Sequence, residues 1–521
     1  MAIEMIRSHR KAAYLISFSA VIVAIFGIWR FTIISPNSDE FIQYHRLACF
    51  NFKFASEHEY LWSCSGANKA NILGFTYHRN FPYTGAVSNL FYAPFYFLNQ
   101  TKYSHYLYGI VMVTLFGWLL IRALKLPWYL LILPLVYVPL LYQSMHDAGP
   151  IRIALVAHPL LICLTLILFS EYKKQIKYLA LFGIFFITAI AIEDKPFFIY
   201  LIPQVIILAI ATSYYHYRNI TIVVIKNNLF WAIQIVVAIA LAILLVLVIT
   251  QITTDNSKEF ITYIKYLIKM KTIYIANLEQ ELTFILRYSF SPTIFVTDRW
   301  VMLSSSQMIL SFLSFIPLIS IALFQIWKER KGYGKYLAFS FGTTCLIFLI
   351  MRNTYLGHHF IFLHIPLIIA IIIFASTSLQ RYFITVMAMA LVVVVTTYQI
   401  AIIEFKDISD GASSPDREIL AIYLAKPEIA QNSIINYTSS GGYFMQSLFG
   451  HPDQLVTHIQ PINLAETQSL EVKLKKLNRK YIINLCRGCT KDELQPFFPK
   501  ATITEIDLNV TQWHAWQLEY K

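Results

Sequence analysis

The fold of this chain is decided by the stretch Ile220–Thr250, ITIVVIKNNLFWAIQIVVAIALAILLVLVIT, in which Lys226 is the single charged residue. About 20 apolar residues in a helix cross the ~30 Å hydrocarbon core of a bilayer. The stretch therefore predicts a transmembrane helix near residues 228–250. Similar apolar segments lie near residues 12–34, 105–124, 127–144, 153–170, 177–192, 197–214, 303–327, 336–351, 358–377 and 382–403. We therefore expect a polytopic α-helical membrane protein with about eleven transmembrane helices.

The composition supports a membrane location, because 57% of the 521 residues are hydrophobic and only 14% are charged. Soluble domains carry about 25% charged residues, so this chain has too few charges to cover a water-facing surface of its size. The net charge of +13 does not indicate a nucleic-acid partner, because the basic residues lie in short loops between apolar segments.

The same basic loops predict the orientation in the membrane. With the N-terminus in the cytoplasm, every cytoplasmic loop is short and basic, which is the positive-inside pattern. The residues concerned are Arg122, Lys125, Lys173, Lys174, Lys177, Arg218, Lys226, Lys328, Arg330, Lys331, Lys335 and Arg381. The basic segment Met1–Lys11 resembles the start of a signal peptide, but the following apolar run is long enough to span, so we expect a retained first helix. An odd number of spans places the C-terminus outside, as in a multi-pass protein of a bacterial inner membrane.

Three larger segments then face the outside, namely the loops 35–104 and 251–302 and the tail 404–521. Lysines interleaved with apolar residues in Ser257–Ile275 predict an interfacial helix or a patch that binds anionic membrane lipids. The tail alternates helical stretches with β-rich runs, which predicts a small α/β domain. The expected strands are Ser433–Tyr437, Leu455–Ile459, Tyr481–Leu485, Thr502–Ile506 and Gln512–Tyr520. We expect a transmembrane domain of residues 1–403, including both loops, and an extracytoplasmic α/β domain of residues 404–521.

The sharpest candidate for chemistry is Ser38-Asp39-Glu40, which lies a few residues beyond the first predicted span. A carboxylate near a membrane interface has to be solvated or paired and is seldom without a role. Ser38 or Asp39 could cap a helix that begins near Phe41. A capping role is compatible with chemistry, because a helix N-terminus keeps a carboxylate ionised.

Other ionisable residues follow at the outer ends of later spans, where the loops are short: His146-Asp147 with Arg152, Glu193-Asp194-Lys195, Arg352, and His358-His359. Glycosyl transfer from a lipid phosphate needs a base for the acceptor hydroxyl and cations or a metal for the leaving phosphate. This set supplies both kinds of group. Carboxylates and histidines are also acceptable ligands for a divalent metal, although their spacing forms no compact metal motif.

This layout resembles the GT-C glycosyltransferases, which include protein O-mannosyltransferases and lipid A aminoarabinose transferases. The resemblance rests on Ser38–Phe41, on Phe81–Leu98 (FPYTGAVSNLFYAPFYFL) and on His146-Asp147. It implies an inverting transferase that takes a sugar from a polyprenyl-phosphate donor to a lipid, glycan or protein acceptor outside the cytoplasm. It also implies Asp39 as the catalytic base, Glu40 as the weaker candidate and Asp147 as a second acid. The donor phosphate is expected at Lys195, Arg352, His358, His359 and Arg152.

Two other functions compete with this interpretation. A polymerase or ligase of surface polysaccharide would use Arg287 and Arg299 in the late outer loop, but it leaves the early acidic pair unexplained. A transporter or flippase would show ionisable residues near the middle of its spans or a repeated half, and neither pattern is present. Cys49 and Cys64 could form a disulfide, and Cys486-x-x-Cys489 suggests a local disulfide or two thiols more than half of a zinc site.

Overall fold

A computed structural model describes residues 18–29, 32, 68–72, 75–79, 87–99, 103–137, 140–141, 144–145, 150–194, 198–217, 229–254, 305–350, 361–408, 419–420, 422–437, 455–457, 474–475, 478–510 and 513–520. The chain divides into two compact units. The first contains residues 1–34, 82–88 and 106–404, and the second contains residues 35–81, 89–105 and 405–521. This division places most of the first loop with the tail, whereas the sequence analysis assigned that loop to the transmembrane domain.

Long apolar helices make up the first unit, and each coincides with all or part of an apolar segment of the sequence. They are α1 (Phe18–Trp29), α3 (Tyr103–Leu124), α4 (Ile132–Val136), α5 (Pro150–Phe169), α6 (Lys174–Asp194), α7 (Phe198–Tyr217), α8 (Leu229–Thr254), α9 (Ser305–Lys328), α10 (Gly334–Ile350) and α11 (Ile361–Ile408); α2 (Val87–Leu98) precedes α3. By length and composition, four described helices can cross a membrane, namely Tyr103–Leu124, Arg152–Phe169, Lys174–Asp194 and Leu229–Ile249. Shorter apolar helices cover Phe18–Trp29, Phe315–Lys328 and Ile361–Thr377. The polytopic helical architecture is thus present, and the total of eleven spans stays a prediction.

The helices of this unit alternate in direction, which gives it two distinguishable ends. His158 in the first half of α5 contacts Phe198 at the start of α7, with ring centroids 5.3 Å apart. We call this the first end. Helix α6 connects the far end of α5 to the start of α7, so its last residues also lie at the first end. Tyr178 near the start of α6 contacts Trp231 near the start of α8 at the opposite, second end. Gly183 lets α6 approach α5 closely, since a Cβ there would lie 3.0 Å from the Leu164 side chain.

The expected span at 127–144 is not one continuous helix. A 3₁₀ turn at Trp128–Leu131 leads into the five-residue α4, and Tyr137 then adopts an extended conformation with φ −81° and ψ 97°. Leu133 and Pro134 are both helical, so α4 ends before Tyr137 and not at the proline. The hydropathy of the segment was predicted correctly, but its backbone was not.

Helix α11 is a single helical run of 48 residues, where the sequence suggested two segments separated near Arg381. Phe362 contacts α5 at the first end, and Ser376 shares a hydrogen bond with the last turns of α7 at the second end. Val394 nevertheless faces Gly27 of α1 beside Leu141, which is close in the chain to the first end. A straight helix of this length would extend about 70 Å, so the run doubles back between Ser376 and Val394. The connecting residues contain no proline or glycine that would end the helix.

The second unit is built around a mixed five-stranded sheet. Its strands are β3 (Ser433–Tyr437), β4 (Leu455–Thr457), β5 (Tyr481–Arg487), β6 (Ala501–Ile506) and β7 (Trp513–Tyr520), in the order β4-β3-β5-β7-β6. Strand β3 is parallel to β4 and β5, while β7 is antiparallel to β5 and β6. Short helices α12 (Pro427–Asn432) and α13 (Lys491–Leu494) flank the strands, and β1 (Asn68–Ile72) and β2 (Phe75–Arg79) form a separate hairpin. Each strand expected in the tail overlaps one of these strands.

Alternation along the strands buries a hydrophobic cluster on each face of this sheet. Ile435 and Ile483 belong to one cluster, and Ile434 and Ile482 belong to the other. Helix α13 begins with a capping box, in which Thr490 and Glu493 each accept a hydrogen bond from the other's backbone N–H. Two packed faces are what a sheet layered with helices requires.

Candidate functional site

Most of the expected site residues lie outside the described residues, namely Asp39, Glu40, Asp147, Lys195, Arg352, His358 and His359. The structure does describe residues next to several of them in the chain. Met145 lies two residues before Asp147, Asp194 directly precedes Lys195, and Ile361 follows His359 by two residues.

Arg152 is the one expected site residue that the structure describes, and it is completely buried at the start of α5. Its Nε donates a hydrogen bond to the carbonyl oxygen of Ser144 at 2.6 Å, and its Nη2 donates to the carbonyl oxygen of Met145 at 3.3 Å. The guanidinium carbon lies 5.0 Å from the ring centroid of Tyr108, a cation–π contact. Arg152 thus fixes the backbone that leads directly into His146-Asp147.

Acidic residues accompany this arginine at the first end. Glu193 and Asp194, the last two residues of α6, are 3% and 0% exposed. Buried charges are costly unless an opposite charge and hydrogen bonds compensate them. Arg152, Glu193 and Asp194 are therefore buried groups of opposite charge that all lie at this end of the unit.

A close backbone approach supports the same region. Gly109 of α3 faces the 144–145 segment so closely that a Cβ at this position would lie 2.5 Å from the carbonyl carbon of Ser144 and 2.9 Å from the Cα of Met145. Only glycine fits such a contact without moving the backbone. Gly109 and Arg152 thus hold the 144–145 segment from two sides.

Hydrogen bonds from polar side chains connect three helices, α5, α7 and α11. His158 of α5 hydrogen-bonds through Nε2 to Gln204 Oε1 of α7 at 3.1 Å, and Gln204 Nε2 donates to the carbonyl oxygen of Phe362 in α11 at 2.5 Å. Two residues further along α11, His364 Nδ1 shares a 2.6 Å hydrogen bond with the Tyr137 hydroxyl. These bonds fix the start of α11 against α5 and α7.

Four buried residues were not among those expected at the site, namely Tyr108, Tyr137, Gln204 and His364. A signal was present, because polar residues inside apolar segments of a membrane protein usually have a buried partner. Which partners they have could not be predicted, because the contacting residues are up to 227 positions apart in the chain.

Metal binding receives no support from the described part of the chain, which contains no group of three or more His, Cys, Asp or Glu residues suited to a metal ion. The structure joins Cys486 and Cys489 in a disulfide, so this pair is not half of a zinc site here. Cys49 and Cys64 lie outside the described residues. Whether the expected carboxylates and histidines hold a metal therefore stays an open prediction.

Among the comparisons with known proteins, only the comparison with solved structures finds a similar fold. No protein-family model matches the chain, and no curated protein matches it. Two crystal structures of ArnT from Cupriavidus metallidurans are similar over nearly the whole chain. The one bound to undecaprenyl phosphate is 12% identical, with a TM-score of 0.53 and coverage of 97% of each chain. The apo structure is 10% identical, with a TM-score of 0.51 and coverage of 98% of each chain. The chain thus shares its fold with ArnT over nearly its whole length.

Proposed function

We propose that this protein is a membrane glycosyltransferase that moves a sugar from a polyprenyl-phosphate donor to a lipid, glycan or protein acceptor outside the cytoplasm. The observation that carries the proposal is the fold, which is shared over 97% of both chains with a protein that binds undecaprenyl phosphate. Buried charged groups at one end of the helical unit add chemical support, because such groups in a membrane protein usually serve function.

In this proposal Asp39 is the general base that deprotonates the acceptor hydroxyl, with Glu40 as its alternative. Attack by that hydroxyl on the sugar carbon opposite the phosphate inverts the configuration at that carbon. Asp147 is the second acid of the site. The cationic and neutral donors Lys195, Arg352, His358 and His359 bind the departing phosphate and stabilise the charge that develops on it.

Arg152 takes a different role from the one first expected. Because Nε and Nη2 both donate to backbone carbonyls, its guanidinium is committed to the 144–145 segment. We therefore propose Arg152 as a positioning residue that orients Asp147 through these two hydrogen bonds. Hydrogen bonds between a charged donor and buried carbonyls are among the stronger ones in proteins, which suits this role.

The general base is tested by in vitro transfer with radiolabelled polyprenyl-phosphate sugars. Asp39→Asn should lower turnover by about 10²–10⁴-fold, which is the usual contribution of a general base. Glu40→Gln is the matched control, since it removes an adjacent charge, and it should retain most activity. Full turnover in a folded Asp39→Asn protein would remove Asp39 from the mechanism. Loss in Glu40→Gln alone would transfer the role to Glu40.

The role of Arg152 is tested by steady-state kinetics of Arg152→Lys. Lysine keeps the charge but cannot donate to two carbonyls in the fixed geometry of a guanidinium. A misplacement of about 1 Å near the chemistry costs up to about 10²-fold in rate, so kcat should fall while KM for the donor changes little. A rise in KM with kcat unchanged would instead show that Arg152 binds the donor.

A further inference from the structure

A cavity of about 430 Å³ lies at the second end of the helical unit, far from the cluster around Arg152. It is formed by the start of α6 and the start of α8, and its lining residues are Tyr172, Lys174, Lys177, Phe230 and Trp231. Helix α6 is 21 residues long and therefore extends about 30 Å from this cavity to Asp194. The cavity is thus separate from the proposed transferase site.

The charge around this cavity is positive. Two of its five lining residues are lysines and none is acidic, and all five belong to the described part of the chain. Helices α6 and α8 both begin here, and neither fully described first turn contains an acid. A helix N-terminus carries partial positive charge, so Lys174 and Lys177 stand where a cation is disfavoured and an anion is favoured. Glu171, three residues before Lys174, does not line the cavity.

Aromatic rings hold both lysines in the cavity. Lys177 Nζ lies 5.5 Å from the ring centroid of Trp231, and Lys174 Nζ lies 5.7 Å from that of Tyr178. The rings of Tyr178 and Trp231 pack edge to face at 5.5 Å. Cation–π contacts leave the ammonium N–H groups able to donate to an anion. Each ammonium group is therefore positioned by an aromatic ring at the start of α6 or α8.

Apolar surface continues from the cavity along both helices. On α6, Leu179 is 70% exposed and Phe182 is 61% exposed, and on α8, Ile233 is 52% exposed and Val236 is 63% exposed. Exposed residues of this kind on a transmembrane helix contact lipid chains. A free phosphate would use the lysines only, whereas a phospholipid would use the lysines and this surface together.

We propose that the cavity binds the phosphodiester headgroup of an anionic membrane phospholipid, with its acyl chains along α6 and α8. Basic pockets between transmembrane helices bind anionic headgroups in this way. The site requires neither a donor sugar nor the residues of the transferase site, so it stands independently of the proposed function.

Native mass spectrometry of the delipidated full-length protein tests this site, with phosphatidylglycerol as the probe and phosphatidylcholine as the neutral comparison. Each lysine near an anionic lipid contributes about fivefold in affinity, so Lys174→Gln with Lys177→Gln should weaken phosphatidylglycerol binding about 30-fold. The matched control is Lys328→Gln with Lys331→Gln, which removes the same charge from the same end of the unit but outside the cavity. It should change the affinity less than threefold.

Two further measurements distinguish a specific lipid site from nonspecific electrostatic attraction. Lys174→Arg with Lys177→Arg should restore binding, and millimolar inorganic phosphate should not displace the lipid. Equal weakening in the cavity and control variants would overturn the proposal in favour of diffuse attraction. Unchanged binding in the cavity variant would also overturn it, as would displacement by inorganic phosphate. Thermal unfolding of each lipid-free variant confirms that it is folded.

Discussion

Replacing Gly109 by alanine tests the contact between α3 and the segment that precedes Asp147. The added Cβ would lie 2.5 Å from the carbonyl carbon of Ser144 and 2.9 Å from the Cα of Met145, whereas ordinary contact begins near 3.4 Å. Both partners are backbone atoms, so no side chain can rotate away. Because protein interiors are close-packed, the 144–145 backbone must move by roughly 1 Å.

Two effects should follow from that movement. Overpacking against backbone should lower the free energy of unfolding by about 1–3 kcal/mol. Displacement of the chain beside Asp147 should lower the transfer rate by about 10²-fold. Chemical or thermal unfolding of the purified protein measures the first effect, and the transfer assay measures the second, normalised to folded protein.

Gly342→Ala is the matched control, because Gly342 also lies inside a helix but has nothing within 4 Å of its would-be Cβ. Alanine there should be neutral or stabilising by up to about 1 kcal/mol, since glycine is a poor helix former. If Gly109→Ala behaves like Gly342→Ala in both measurements, α3 does not approach the 144–145 segment as described. If only stability falls, the segment does not position the chemistry.

Three further predictions concern other contacts. In the sheet, Asn436→Val should lower the free energy of unfolding by about 1–3 kcal/mol, because it removes the 2.7 Å hydrogen bond to the buried Asn484 side chain. Valine at both positions should recover most of that loss. Pulse proteolysis of the full chain measures both effects. Tyr137→Phe should lower the free energy of unfolding by about 1–2 kcal/mol through loss of the bond to His364, measured by thermal unfolding in detergent. Burial raises the pKa of Tyr423 above its ordinary value of 10.0, so its contribution to stability should be complete below pH 10 and lost as the pH rises further. Tyr423→Phe should make alkaline unfolding of the second unit, followed by near-UV circular dichroism, less steep.

Hydropathy predicted the helices of the first unit well, because burial in lipid depends on composition over a long window. Helix α8, Leu229–Thr254, nearly coincides with the expected span at 228–250. The break after α4 was missed because a hydropathy average over residues 127–144 carries no information about backbone conformation. The two segments expected on either side of Arg381 correspond to the two arms of α11, which doubles back between Ser376 and Val394.

In the tail, the positions of the strands were predictable from the sequence, but their arrangement in the sheet was not. Alternating apolar residues predicted the strands, and Ser433–Tyr437 has the same bounds in the structure. Their order in the sheet could not be predicted, because β5 pairs with both β3 and β7 through contacts between distant parts of the chain. Arg152 is the corresponding case in the site. Its type and position suggested phosphate binding, but its commitment to two carbonyls depends on where the 144–145 segment packs.

The hydrogen bonds that connect α5, α7 and α11 also bear on how the protein is made. Gln204 donates to Phe362, a residue 158 positions later in the chain. At ribosomal speeds of about 5–20 residues per second, that partner is synthesised roughly 10 to 30 s after Gln204 has been. His158 and Gln204 are only 46 positions apart and can pair as soon as α7 enters the membrane. The early pair shields two polar side chains during insertion, and arrival of α11 then completes the connection among the three helices.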